Sequence, residues 1–473
     1  MTSKSTMAAL VAAWLALSGH EALAANQTPT TTPVVYGDKS LPFGLKLQRV
    51  DTKGRLPTLQ AFAMGQYGKY WVLLGGRTNG LHNFTNDPLK NFPPSEQNRK
   101  VWVVDPTNWR VWSRSITGSG LSADQVDQLS ATNYEDYQSG NTLYVVGGYG
   151  YLRSARKFVT FPVMTAVDLP DLITWVQQPS KSPSLAKLIR QTRSETLRVT
   201  GGEMTMFGKR AVLAFGQDFA GGYGDPKAVQ TYTGQLRSFD IVDDGKRLAI
   251  ADIEASPAKP DLTNFRRRDY SLMSYLDGGQ AKAAALAGVF TASGGVFTVP
   301  VEFGPSGVPR QQNPAAPGTF KQGMNSYDSA TLGIYDRSSG ATHTVLFGGI
   351  SYVTYDYKTR TFVPDSNVPF TSQVTDLVRD RQGRYRQYLF YNGFPKVSGP
   401  DVARYLFGAE ARTFLKPGTP TTGPGLVDMQ AVQAKPGTSQ VVGWVFGGIA
   451  AEQPNFGQTV ASNEVFRIVL SDR

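Results

Sequence analysis

A run of apolar, β-branched and aromatic residues that ends in glycine recurs along the chain. Its copies are Tyr70-Trp71-Val72-Leu73-Leu74-Gly75-Gly76, Leu143-Tyr144-Val145-Val146-Gly147-Gly148, Ala211-Val212-Leu213-Ala214-Phe215-Gly216, Ala283 to Gly288, Thr344-Val345-Leu346-Phe347-Gly348-Gly349 and Gly443-Trp444-Val445-Phe446-Gly447-Gly448. The marker glycines 75, 147, 216, 288, 348 and 447 are separated by 72, 69, 72, 60 and 99 residues, which defines six units with an insertion in the last interval. In the clearer units a second strand pattern follows and meets an aspartate: Val101 to Asp105, Thr165 to Asp168, Leu236 to Asp240 and Ser372 to Asp376. Aspartate at the first position of a turn bonds the backbone two residues on and closes a hairpin. Further strand patterns come next, such as Val111-Trp112-Ser113 and Arg247 to Ile250. Each unit thus offers four short strands. Six repeats of a four-strand sheet predict an all-β, six-bladed β-propeller over residues 41–473. The fourth unit is the weakest, because Ala287-Gly288 replaces the double glycine and Val296 to Phe303 lacks the aspartate.

The two ends of the repeat array complement each other. The last unit, read from about Val427, stops after Asn463 to Leu470 without a fourth strand, while Gly44 to Val50 is a strand pattern without a preceding unit. The N-terminal strand is therefore expected to complete the last blade and close the ring, which removes sheet edges that invite aggregation. Ahead of it, residues 1–24 read as a secretory signal peptide: Lys4, an apolar run from Met7 to Leu17, then Glu21-Ala22-Leu23-Ala24 with small residues where a peptidase cuts. Residues 25–40 read as a Thr- and Pro-rich spacer. No later segment reaches the length of a membrane-spanning helix.

The glycine doublets, the aspartate strands and the aromatics Trp112 and Trp175 of the outer strands resemble kelch repeats, over roughly residues 44–473. Units near 70 residues are longer than the usual kelch unit of about 50. The segment His343 to Ile350, with Val368-Pro369-Phe370 and the aspartate strand beyond it, also resembles secreted bacterial kelch-like proteins. A more distant likeness, of fold alone, is to the periplasmic kelch-type N-acetylneuraminate epimerases, which implies a sugar-modifying activity as one expectation.

Composition narrows the chemistry. The chain has no cysteine, which excludes disulfides, thiolate metal sites and a cysteine nucleophile, and an exported protein of that kind suits a bacterial periplasm or surface. Its three histidines, His20, His82 and His343, leave no histidine-rich metal centre. Galactose oxidase-type copper chemistry, the familiar enzyme of the kelch class, needs a tyrosine crosslinked to cysteine and is excluded. No cofactor or metal is expected. The net charge of +11 favours anionic partners, yet the basic residues are dispersed and no reader motif is present, so nucleic acid is not among them.

In a propeller the loops that lead into the first strand and those that leave the second emerge on one face. Here the long segments 117–129, 179–198, 254–265, 305–323 and 392–425 are placed on that face, with helical patterns at Ser122 to Ser130 and Ser184 to Leu197. Residues before the first strands and after the second are expected around the channel mouth. Those nominated as ligand-binding are Arg77, Asn79, Asn133, Tyr134, Tyr149, Asp218, Tyr270, Asn325, Tyr327, Tyr352 and Gln430. Tyrosines and amides suit hydroxylated ligands, and Arg77 and Arg268 offer a fork for an acid. The adjacent Glu135 and Asp136 are not a dyad, since neighbours on a strand face opposite ways. The run Arg266-Arg267-Arg268 reads as solvated. Two functions follow as expectations: an exported binding module for an acidic carbohydrate or protein partner on the long-loop face, or a periplasmic sugar epimerase or mutarotase. In the second case Glu203, Arg268 and His82 are the candidate catalytic groups.

Overall fold

The computed structural model describes residues 35–399, 402–433, 437–455 and 457–473. The expected signal peptide and most of the expected spacer lie outside them. At the end of the spacer, Val35–Gly37 forms a strand paired in parallel with Gln387 to Leu389.

The fold is an all-β propeller. Sheet I comprises Ala63–Tyr67, Tyr70–Leu74, Lys100–Asp105 and Arg110–Ser115. Sheet II comprises Thr132–Ser139, Thr142–Leu152, Val163–Asp168 and Ile189–Arg193. Sheet III comprises Glu203–Phe207, Arg210–Ala214, Leu236–Asp243 and Leu248–Ser256. Sheet IV comprises Ser271–Asp277, Gln280–Leu286, Val301–Phe303 and Arg310–Gln311. Sheet V is built on Ala330–Asp336, Ala341–Ile350, Phe370–Arg379 and Tyr385–Phe390. Sheet VI joins Ala411–Leu415, Ser439–Gly447 and Val465–Asp472 to the N-terminal strand Phe43–Val50. Five blades are delineated rather than the expected six. Sheet IV is the least developed, because its third and fourth strands have only three and two residues. That is the unit whose sequence lacks both markers.

First strands alternate buried and partly exposed positions, as in Ser271–Asp277 and Ala330–Asp336, because one face packs and the other borders the axis. Second strands are sandwiched between neighbouring sheets, and in Tyr70–Leu74 and Arg210–Ala214 every residue after the first is buried.

The glycine doublets have a physical explanation. The last glycine of the run donates its N–H to a carbonyl of the next unit: Gly76 to Ala131 (2.8 Å), Gly148 to Val199 (3.0 Å), Gly216 to Arg267 (2.9 Å) and Gly448 to Leu59 (2.8 Å). The glycine before it admits that carbonyl. Gly147 has φ +64°, and a Cβ there would stand 2.0 Å from the Val199 oxygen. Gly147→Ala is therefore expected to cost clearly more than Gly140→Ala. At Gly140 a similar left-handed backbone (φ +57°) faces open space, and handedness alone costs about 1–2 kcal/mol. Urea midpoints of the two variants check this.

Several local expectations are corrected. Ser122 does cap a helix, Ala123–Leu129, through a reciprocal capping box with Gln125. The segment from Ser184, by contrast, forms a short 3-10 turn, Leu185–Lys187, and then the fourth strand of sheet II. The helix lies earlier, at Leu169–Gln177, and buries Leu172, Ile173, Trp175 and Val176, so Trp175 is not an outer-strand residue. The last unit begins at Ala411 rather than Val427. Residues Leu426–Asp428 instead pair beside the first strand of sheet V, with Ile334 opposite Val427.

Candidate functional site

Just before each first strand, or in its first two residues, the backbone is left-handed: Ala61 (φ 50°), Asn133 (51°), Gly201 (67°), Asp269 (53°), Asp328 (51°) and Glu410 (55°). Main-chain hydrogen bonds link neighbours in this series, from Asn133 N to Ala61 O (3.2 Å), Asp269 N to Gly201 O (2.7 Å), Glu410 N to Asp328 O (2.8 Å) and Ala61 N to Glu410 O (3.2 Å). Gly, Asn and Asp take this conformation readily; Glu and Ala do so at a cost, and such strain clusters at functional positions. The geometry gathers Asn133, Asp269, Asp328 and Glu410 around one mouth. Asn133 Nδ2 donates to Glu410 Oε1 at 2.7 Å. Arg268 is held by the Asp269 carboxylate, and its Nε donates to the Tyr232 hydroxyl at 3.1 Å. Gly201 makes room for Asp269, whose Oδ1 lies 2.5 Å from where a Cβ would stand.

Within the channel lies a cavity of about 150 Å³ whose walls include Met64, Glu203, Leu272, Thr331 and Arg412. Arg412 is fixed by Asp136 Oδ1 (2.8 Å) and the Phe62 carbonyl (3.2 Å). The Glu203 carboxyl makes no hydrogen bond or ion pair among the described residues. Burial pushes it up to about 7, against the pull of Arg412. Burial also raises Asp328 well above the usual carboxylate range, with the negative charges of Glu410 and Asp269 adding to it. Glu410 is raised by burial and then by Asp269. The site is thus a set of carboxyl groups of raised proton affinity, beside two guanidinium groups already engaged by Asp269 and Asp136.

The segment between the second and third strands of sheet I arches over this mouth. Leu81 N donates to Thr459 Oγ1 at 2.9 Å, in the hairpin Ile449–Ala451 and Thr459–Ala461 that follows the second strand of sheet VI. Further along, Asn91 Nδ2 donates to the Tyr223 carbonyl at 2.7 Å, in the loop of the hairpin Gln217–Ala220 and Val229–Tyr232. His82 stacks on the Tyr223 ring at 3.7 Å between centroids, and burial lowers its imidazole to about 4, so it is neutral.

The nominated residues divide into groups. Asn133 is in the mouth, and the Tyr327 phenol feels the charges of Asp328, Asp269 and Arg268 there. Arg77 and Asn79 belong to the arching segment. Arg77 is buried with its guanidinium 3.5 Å from the Phe92 ring and Nε on Asn79 Oδ1 (3.0 Å), so it offers no fork to a ligand. Tyr134, Tyr149 and Tyr270 are core braces whose hydroxyls donate to the carbonyls of Gln128, Gly221 and Ala214. Asp218 lies away from the mouth, near Arg198. Tyr352 sits at the base of a hairpin, its carbonyl accepting from Asp365 N. Asn325 is buried with neither amide atom hydrogen-bonded. Gln430 is at the far end of the sheet V first strand, bonded to Asp336 and Arg337; the position it was expected to fill belongs to Glu410. Arg268 and Glu203 lie at the channel, and His82 is in the segment over it.

Glu135 and Asp136 do diverge. Glu135 is buried between sheets and accepts from Gly202 N (2.8 Å), with burial raising it to about 8, while Asp136 reaches Arg412. The arginine run is not solvated, contrary to expectation. Arg267 is fully buried and donates to the carbonyls of Ala287 and Val299, both at 2.9 Å, and Arg266 donates to Phe290 O. Asp269, Asp328, Glu410, Asp136 and Arg412 were not among the residues nominated from the sequence. The available signal was their place one or two residues before each unit's first strand for Asp269, Asp328 and Glu410, and on that strand for Asp136 and Arg412. Among the described residues no group of three or more His, Asp or Glu is arranged to hold a metal ion, and no helix is long and apolar enough to cross a membrane.

Fold and site together define a β-propeller with a carboxylate-lined axial channel. No family model matches the chain, and no curated protein matches it. Among solved structures it is similar to one described as "Structure of YjhT", with a TM-score of 0.44 and 10% identity over 89% of this chain and 100% of that one.

Proposed function

We propose that the protein is an exported six-bladed propeller, closed by its N-terminal strand, whose channel binds a small hydroxylated ligand of neutral or positive charge. Six left-handed positions, and hydrogen bonds from the last unit back to the first at Gly448–Leu59 and Ala61–Glu410, support the ring. So does the continuous pairing of Phe43–Val50 with Val465–Asp472. Export rests on the signal-peptide pattern of residues 1–24.

One observation carries the ligand reading: Glu203, unpartnered, faces a cavity the size of a small molecule beside Arg412. Carboxyl groups recognise hydroxyls and amines by accepting their protons. With Asp269, Asp328 and Glu410 at the mouth and both Arg268 and Arg412 engaged, an acidic ligand would find no free cation in the channel. Glu203 at about 7 also favours a second reading, acid–base chemistry on a sugar of the epimerase or mutarotase type, since a group poised near the working pH both takes and gives protons. Arg268 and His82 drop out of that role, being engaged and stacked respectively.

Calorimetric titration of the full chain with glucose, glucosamine and glucuronate tests the proposal. Binding of the first two and rejection of glucuronate is expected, with affinity lowered about tenfold, or ~1.4 kcal/mol, in Glu203→Gln. Preferential binding of glucuronate, with contacts mapped to the channel, would overturn it. Anomeric exchange of the bound sugar, followed by NMR and lost in the same variant, would favour the enzyme.

A further inference from the structure

A second surface, independent of the channel, lies on the outer rim of sheet V. After the second strand of this sheet the chain forms a separate two-stranded hairpin, Val353–Asp356 with Thr361–Pro364. Tyr355 pairs opposite Phe362, and their rings lie 5.1 Å apart. Tyr357, two residues on, shares that face and meets Tyr355 edge-on at 5.1 Å. Tyr391, at the end of sheet V's last strand, continues the row at 6.4 Å from Tyr357. Tyr357 and Tyr391 are 44% and 56% exposed, although they touch. An aromatic row left in water over several residues is a recognition surface more often than a packing accident.

Cations outnumber the one carboxylate of the hairpin around the row. Lys358 and Arg360 form the hairpin's exposed turn, and Arg404 is exposed close enough for its charge to act on the Tyr357 phenol. None of the three forms an ion pair among the described residues. The nearby Asp356 is engaged, since its Oδ1 accepts from Lys358 N at 2.7 Å and caps the turn. Rings that present a flat apolar face with a phenol at its edge stack on the C–H faces of sugars, while unpaired Lys and Arg bind carboxylate or sulfate groups. A hairpin ridge also lacks the closed walls a small ligand needs, so the fitting occupant is a chain.

We infer that this tyrosine ridge and its three cations dock an anionic polysaccharide. The inference does not rest on the channel's ligand, and the positive charge of the whole molecule would assist the encounter. Affinity electrophoresis of the full chain tests it, in gels cast with polygalacturonate, dextran sulfate or neutral dextran. Retardation by polygalacturonate and none by dextran is expected. Tyr357→Ala with Tyr391→Ala is expected to weaken it about tenfold, or ~1.4 kcal/mol. Lys358→Ser with Arg360→Ser, both exposed on the turn, is expected to do the same with the fold intact by circular dichroism. Glu203→Gln should leave it unchanged. Absence of retardation overturns the inference. Retardation that ignores both double variants means diffuse charge attraction, and binding to phosphatidylglycerol vesicles in preference to polygalacturonate means a membrane surface; either result also overturns it.

Discussion

Replacing Glu203 with glutamine is expected to make the folded protein more stable, and the gain should grow as pH rises from 4.5 to 8. In the unfolded chain this carboxyl titrates near about 4.3. In the channel burial pushes it up to about 7. Between those values the folded state keeps a proton that the unfolded state has released, so stability falls with rising pH through that window and the loss is complete above the folded value. Glutamine carries no such proton and escapes the loss. The size is on the order of 1–3 kcal/mol at pH 8, reduced from the full shift because the cavity admits water, and it shrinks to a fraction of that near pH 4.5. Glu135, Asp328 and Glu410 are raised in the same direction, so the variant should keep part of the wild-type slope. Urea unfolding at the two pH values measures this. A variant destabilised equally at both would mean that Glu203 is an ordinary hydrogen-bonded carboxylate, and the unpartnered group on which the proposed ligand site depends would not exist.

The repeat array was legible because glycine has two duties here that no other residue can perform. It takes the left-handed turn after the second strand, and it lets the next unit's carbonyl approach, as Gly147 does for Val199. Those duties recur once per unit and so leave a spacing in the sequence. The carboxylates of the mouth left a fainter trace. Asp269 and Asp328 stood beside Arg268 and Tyr327, which were nominated, yet a strand pattern does not tell which of two neighbours turns toward the axis. Glu410 was hidden by the long last interval: Val427 looked like the start of the unit, although it pairs with Ile334 of sheet V. Buried tyrosines misled for a different reason. Tyr134, Tyr149 and Tyr270 have the composition of a sugar site, but each hydroxyl is spent on a backbone carbonyl, and hydrogen-bonding of that kind depends on the neighbouring sheet.

The acidic channel and the basic chain also fit together once the charges are located. Like-signed carboxyl groups crowded at the axis raise one another's proton affinity, so the mouth carries less negative charge at neutrality than its residues suggest. The positive excess lies elsewhere, part of it as unpaired cations on the sheet V rim. A single net charge therefore described neither surface, and the acidic partner expected for the long-loop face is better matched by the rim than by the channel.

Trp71→Ala is expected to destabilise the fold by about 3–5 kcal/mol. Trp71 is fully buried in the second strand of sheet I, and its partners come largely from the other end of the chain. Its ring stacks on Phe414 at 4.3 Å and meets Trp444 edge-on at 5.5 Å, with Trp109 at 5.8 Å on its own sheet. Phe62, Leu73, Phe446 and Val465 belong to the same cluster, which holds sheet I against sheet VI. The indole nitrogen has no hydrogen-bond partner, so the loss is one of packing and cavity formation rather than of a polar contact. Filling the gap would require the stacked Phe414 and Trp444 to collapse together, and both are anchored in strands of sheet VI. Trp112, on the half-exposed fourth strand of sheet I, provides the comparison, and its alanine variant should cost much less because water replaces part of what is removed. Denaturant unfolding of both variants gives the difference. If Trp71→Ala costs no more than Trp112→Ala, the contact between the first and last sheets does not carry the ring, and closure by the N-terminal strand alone would have to hold the two ends of the chain together.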